Sequence, residues 1–134
     1  MWENGWMKEL ITKAKSEYKD INKVFCPYLN DYVYFTMKGF KHLLGNKNGR
    51  RDKNTVCIRL DSIKDIADII LKSGTLQEYE NIYRKYFSFI AILESNKYKV
   101  VIFKDIDNKY KFFSVIPDYT TNIRDKLKIY PKNE

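Results

Sequence analysis

The sequence is poor in the residues that cross-link or interrupt a chain: its 134 residues include two cysteines, three prolines, five glycines and one histidine. Cys26 and Cys57 lie 31 residues apart. They are too few for a disulfide scaffold and have no His or Cys neighbour at zinc spacing, so a buried pair of reduced thiols is expected. No apolar run approaches the roughly 18 residues of a membrane-spanning helix. The opening Met1-Trp2-Glu3-Asn4-Gly5-Trp6 has neither the basic nor the apolar region of a secretory signal, and a cytoplasmic setting is the expectation. G-x-G-x-x-G, Walker-type, H-E-x-x-H, G-x-S-x-G and C-x-x-C motifs are missing, which removes the usual signatures of nucleotide, zinc-hydrolase, serine-hydrolase and thiol-redox chemistry. Asp105 and Asp107 have the chemistry to chelate a cation, yet Ile106 and Lys109 beside them read as an ordinary hairpin tip. Neither a metal nor a cofactor is expected.

Aromatics are plentiful at 16% and hydrophobic residues make up 44% of the chain, which disfavours disorder. The length suits a single domain over residues 1–134. It divides into an N-terminal helix and connector (1–31), a core (32–117) and a charged tail (118–134). Twenty-five Lys+Arg outnumber 17 Asp+Glu by eight charges. Twenty of those cations are lysines in a chain also rich in Asn and Ile, a mixture that coding bias alone can produce, so distribution carries more than the total. Residues 1–31 are neutral, 32–59 carry +6 with Asp52 as their only acid, 60–82 carry −3, and 83–134 carry +5.

Trp6, Leu10, Ala14, Tyr18 and Ile21, with Met7 and Ile11 alongside, predict an amphipathic helix over residues 5–23. A short strand is expected over 32–35, then a helix from an N-cap at Thr36 through Leu44, closed by Gly45. Residues 46–54 lack any apolar side chain and read as an exposed basic loop, with a returning strand over 55–58. Ile63, Ile66, Ala67, Ile70 and Leu71 mark a helix over 62–73, capped by Asp61 or Ser62. Three β-rich runs (87–93, 98–103 and 110–116) follow, separated by turn-forming residues, and predict an antiparallel meander partly covered on both faces. Period-two alternation sets Ser114 on one face with Phe112 and Ile116. The fold class is α+β: helices followed by an antiparallel sheet of four or five strands, in the order α-β-α-loop-α-βββ.

His42 is the one side chain with an ordinary pKa near neutrality, and Lys38, four residues earlier on the same helix, favours its neutral form. Lys41 adjoins it in sequence. Arg50 and Arg51 in the basic loop, with Arg59, offer planar forks for phosphate. RNA cleavage through the 2′-hydroxyl needs a base, an acid and cationic stabilisation of the phosphorane, and residues 38–59 hold several such groups. Tyr32, Tyr34, Tyr98 and Tyr110 lie in or beside strands, where exposed rings stack on bases.

The segment Val33-Tyr34-Phe35-Thr36-Met37-Lys38-Gly39-Phe40-Lys41-His42-Leu43 resembles the barnase/EndoU/colicin/RelE-like small nucleases, in particular the branch found in phage proteins and polymorphic toxins. In that superfamily a strand leads into a helix ending in histidine, then an arginine-bearing loop, a helix and an antiparallel sheet. The likeness covers residues 32–117 and extends to Lys111-Phe112-Phe113-Ser114-Val115-Ile116-Pro117, where a catalytic or substrate-contacting hydroxyl is often placed. The resemblance implies metal-independent RNA cleavage, with His42 as general base or acid, Lys38 and Arg50 or Arg51 stabilising the phosphate, and Ser114 orienting it. Lys41, Arg59, Tyr34 and Lys111 would contact substrate. It further implies tRNA or mRNA as substrate and a neutralising antitoxin or immunity protein. Two other readings of the same residues are a non-catalytic nucleic-acid-binding module and an immunity or accessory interaction domain.

Overall fold

A computed structural model describes residues 5–46, 49–74, 78–81, 83–93 and 96–117. Helix α1 (Gly5–Ile21) ends where Asn22 takes a left-handed φ of 60°, a conformation asparagine tolerates, and the chain turns into a hairpin of β1 (Lys23–Cys26) and β2 (Asp31–Tyr34). Helix α2 (Met37–Leu44) follows, then a two-residue ribbon of β3 (Gly45–Asn46) and β4 (Gly49–Arg50). Helices α3 (Lys53–Asp61) and α4 (Ile63–Lys72) lead to β5 (Glu78–Asn81), β6 (Lys85–Leu93), β7 (Asn96–Lys104) and β8 (Tyr110–Pro117). The fold is α+β. Its main sheet has six strands in the order β1-β2-β8-β7-β6-β5. The extra strands are β1 and β5, each four residues long, too short for a clear alternation signal.

Among the described residues only the β2–β8 contact is parallel, pairing Val33 with Tyr110 and Tyr34 with Lys111. The predicted strand over 55–58 is instead the middle of α3. Asp52 accepts hydrogen bonds from the Thr55 backbone N–H and hydroxyl, both at 2.9 Å, and Val56 and Leu60, four apart, are buried. A good N-cap and one buried helical stripe outweigh the β-propensity of Thr-Val-Cys-Ile. In α1 the buried stripe runs through Met7, Ala14 and Tyr18, with Trp6 62% exposed. In α4 Ile69 is buried and Leu71 faces outward. Thr36 and Ser62 occupy N-cap positions without side-chain caps. Cys26 is buried and Cys57 half-buried, and both are free thiols. The tail over 118–134, Lys47 and Asn48 of the basic loop, and Ser95 of the first meander turn lie outside the described residues.

The core lies between one sheet face and the helices. Tyr18 packs edge-on to Phe35 and Phe112 and tilted against Phe40, while Phe35 stacks on Phe112. Gly39 lets α2 settle onto this cluster. A Cβ at that position would stand 2.6 Å from the Tyr18 hydroxyl oxygen and 2.8 Å from the Phe112 carbonyl oxygen. The Tyr18 hydroxyl donates to the Thr36 carbonyl at 2.7 Å, tying α1 to the start of α2. These contacts fix the helix that carries His42.

Candidate phosphate site around His42

His42 sits in the last turn of α2, where the final carbonyls have no helical partner. Arg51 supplies one. Its Nε and Nη2 donate to the His42 carbonyl at 3.2 and 3.1 Å, and Nη2 also stands 3.5 Å from Nδ1 of the ring. The Arg51 backbone N–H donates to the Leu44 carbonyl at 2.9 Å, so the β3–β4 ribbon turns the chain back onto the helix end. The imidazole tilts against Phe113 of β8, with centroids 4.8 Å apart. Arg59 reaches from α3 to the same strand, where Nη1 donates to the Val115 carbonyl. Its Nε is buried without a hydrogen-bond partner.

These contacts set the charge of the site. Half-burial, then Arg51 and Arg59, hold His42 below its ordinary 6.5, so the ring is neutral at pH 7. Burial and the neighbouring Arg51 lower Arg59 to about 10, which leaves it fully cationic. Among the described residues, no carboxylate pairs with Arg51 or Arg59. Two neighbouring guanidinium groups with no counter-ion among the described residues favour an anion strongly, and a buried donor without an acceptor adds to that. With Arg51 facing it, Nδ1 keeps its lone pair toward the guanidinium.

His42 also lines a cavity of about 590 Å³ between α1, α2 and the ribbon. Ile11, Met37, Phe40 and Leu44 give it an apolar floor, and Lys15, Lys38 and Lys41 stand at its wall with His42. The histidine is thus shared between an apolar cleft with a lysine rim and the arginine pair. Lys38 and Lys41 belong to the cleft and are exposed. Arg50 lies in β4, and its side chain is outside the described residues.

Ser114 is 8% exposed. A bulge between Val101 and Ile102 sets Ile102 opposite Phe112 and Val101 opposite Ser114. Phe112 therefore faces the helices and Ser114 faces the other way, which corrects the simple alternation. Lys111 is bound to Asp105 and Asp107 at 2.8 and 3.0 Å. Those carboxylates, Asp105 first, raise its pKa and neutralise it locally. Tyr34 lies on the far side of the sheet from the core, beneath the Lys23 and Lys109 ammonium groups. Tyr98 is buried with its hydroxyl donating to Asp65, and Tyr110 packs on Phe87, so neither presents an open ring.

Sequence reasoning gave Arg59 a secondary role, because nothing in a one-dimensional reading shows that α3 lays it on β8. Phe113, the platform for the imidazole, was not singled out. Its signal is the Phe-Phe doublet at a bulge. Among the described residues, no three His, Cys, Asp or Glu side chains converge to hold a metal ion, and no helix is long and apolar enough to cross a membrane. No family model, curated protein or solved structure matches the chain.

Proposed function

We propose that the chain is a metal-independent endoribonuclease of toxin or phage type, cleaving RNA by transesterification through the 2′-hydroxyl. The observation that carries this reading is a neutral imidazole set against two guanidinium groups that no described carboxylate neutralises. With Nε and Nη2 of Arg51 on the His42 carbonyl and Nη1 of Arg59 on the Val115 carbonyl, Nη1 of Arg51 and Nη2 of Arg59 are the donors for a phosphodiester, and the two charges stabilise the phosphorane. A phosphate on Arg51 draws Nη2 off Nδ1, at 3.5 Å the longest of its contacts with His42, and leaves that lone pair to the adjacent 2′-hydroxyl. His42 removes that proton, the 2′-oxygen attacks phosphorus, and the P–O5′ bond breaks. The products are a 2′,3′-cyclic phosphate and a 5′-oxygen that takes a proton from the imidazolium. Lys38 and Lys41 hold flanking phosphates at the cleft, whereas Ser114, buried and turned from the helices, has no part in holding the bound group. The resemblance to phage and toxin nucleases supports the assignment and adds tRNA or mRNA as substrate. It also adds an antitoxin or immunity protein that would cover His42.

The test is incubation of total RNA in EDTA with the protein and with His42→Ala. Cleavage by the native chain, reduced at least about 100-fold in the variant, is expected. Equal absence of cleavage removes the reading. A second reading, a non-catalytic nucleic-acid-binding module, is favoured by His42 being the one side chain in the cluster, among the described residues, suited to proton transfer. It predicts salt-dependent affinity without cleavage.

A further inference from the structure

The sheet face turned away from the helical core carries a row of rings and cations that the proposed chemistry does not use. Partners directly opposite in a ladder share a face, and the registers Phe25↔Tyr32, Lys23↔Tyr34 and Tyr34↔Lys111 carry the row from β1 across β2 to β8. Phe25 and Tyr32 meet edge to face with centroids 5.6 Å apart, and they are 37% and 42% exposed. The Lys23 ammonium stands 4.5 Å from the Tyr32 ring centroid and 5.9 Å from that of Tyr34, and Lys109 stands 5.2 Å from Tyr34. Neither lysine is paired with a carboxylate among the described residues.

From Tyr34 the row leads to the histidine. Phe113 lies one strand over and two residues along from the Tyr34–Lys111 pair, roughly 8 Å between Cα positions, and its ring touches His42. Two exposed rings and the half-buried Tyr34, beside ammonium groups with no carboxylate partner among the described residues, match one chemistry closely. Unpaired bases stack on the rings, and their phosphates accept from the lysines. An apolar protein segment would leave those ammonium groups desolvated and unmatched. A duplex keeps its base faces stacked inside and cannot use the rings.

We infer that Phe25, Tyr32 and Tyr34, with Lys23 and Lys109, form a track for single-stranded RNA leading to His42, where it holds the nucleotides flanking the bound phosphate. The inference rests on the ribonuclease reading only for the identity of the nucleic acid. Its test uses a probe that cannot be cut by transesterification, a fluorescent mixed-sequence 12-nucleotide single-stranded DNA, read by anisotropy at low salt in EDTA. Tyr32→Ala and Phe25→Ala should each weaken binding about tenfold. Lys23→Gln should reduce the slope of log affinity against log salt by about 0.7. These side chains are surface-exposed, and unchanged melting temperatures would show that the variants fold. Unchanged affinity in both ring variants, no affinity in the native chain, or equal weakening toward the duplex form overturns the track. Loss of cleavage in His42→Ala reports separately on the ribonuclease reading, so the two can fail independently.

Discussion

At the scale of the residue, His42 offers an unusually clean measurement, because it is the only histidine in the chain. Its C2 proton gives one NMR resonance, which should titrate with a midpoint below 6.5, since burial and then Arg51 and Arg59 disfavour the imidazolium. Inorganic phosphate should move the midpoint upward by offsetting both guanidinium charges; no movement would show that the arginines do not gather an anion there. The depressed pKa also has a thermodynamic sign. The folded state binds the proton less readily than the unfolded one, so stability from this group is present above 6.5 and is lost as pH falls from there through the folded value. His42→Gln should flatten that part of the stability profile. Arg59 poses the reverse question. A structural buried ion pair loses about 3–5 kcal/mol when one partner is removed, but Arg59 has no acidic partner among the described residues. Arg59→Met should therefore stay within about 1 kcal/mol of the native chain in urea unfolding while binding RNA about tenfold more weakly. Gly39→Ala should behave oppositely. Alanine is the better helix former, yet its Cβ would collide with Tyr18 and the Phe112 carbonyl, so a loss of about 1–3 kcal/mol is expected in the same measurement.

At the scale of the element, α3 shows what the sequence concealed and why. Thr55-Val56-Cys57-Ile58 has strand-like side chains, and only the Asp52 cap and the tertiary burial of Val56 and Leu60 make it helical. Asp52→Ala should lower the melting temperature by a few degrees and loosen the placement of Arg59, raising the KM for RNA more than it lowers kcat. Equal melting temperatures would mean that packing alone holds α3. The longer signals were legible: α1, α4 and the meander carry enough periods for the pattern to show through, although Trp6 and Leu71 turn outward and Ile69 is buried. The four-residue strands β1 and β5 were not legible. The face of Ser114 was misread because a bulge adds one residue to β8, and alternation counts residues without seeing the extra one. Within the site, His42 and Arg51 were visible as residue types in a charged stretch. Their 3.5 Å approach depends on a turn through β3 and β4 that sequence spacing does not specify.

At the scale of the molecule, the concentration of positive charge in residues 32–59 becomes a surface with two arms, lysines around the α1–α2 cleft and arginines against β8. The last strand described is β8. β8 pairs with β7 on one side and with β2, some eighty residues earlier in the chain, on the other. It bears Phe113 under the imidazole and accepts Arg59 at Val115. During synthesis His42, Arg51 and Arg59 all emerge before β8 exists, and long-range parallel pairing forms late. The reactive groups are thus made early and assembled last. The histidine and the two arginines therefore become one cluster only when β8 has docked on β2, and a change that loosens β8 would scatter them without altering any of the three.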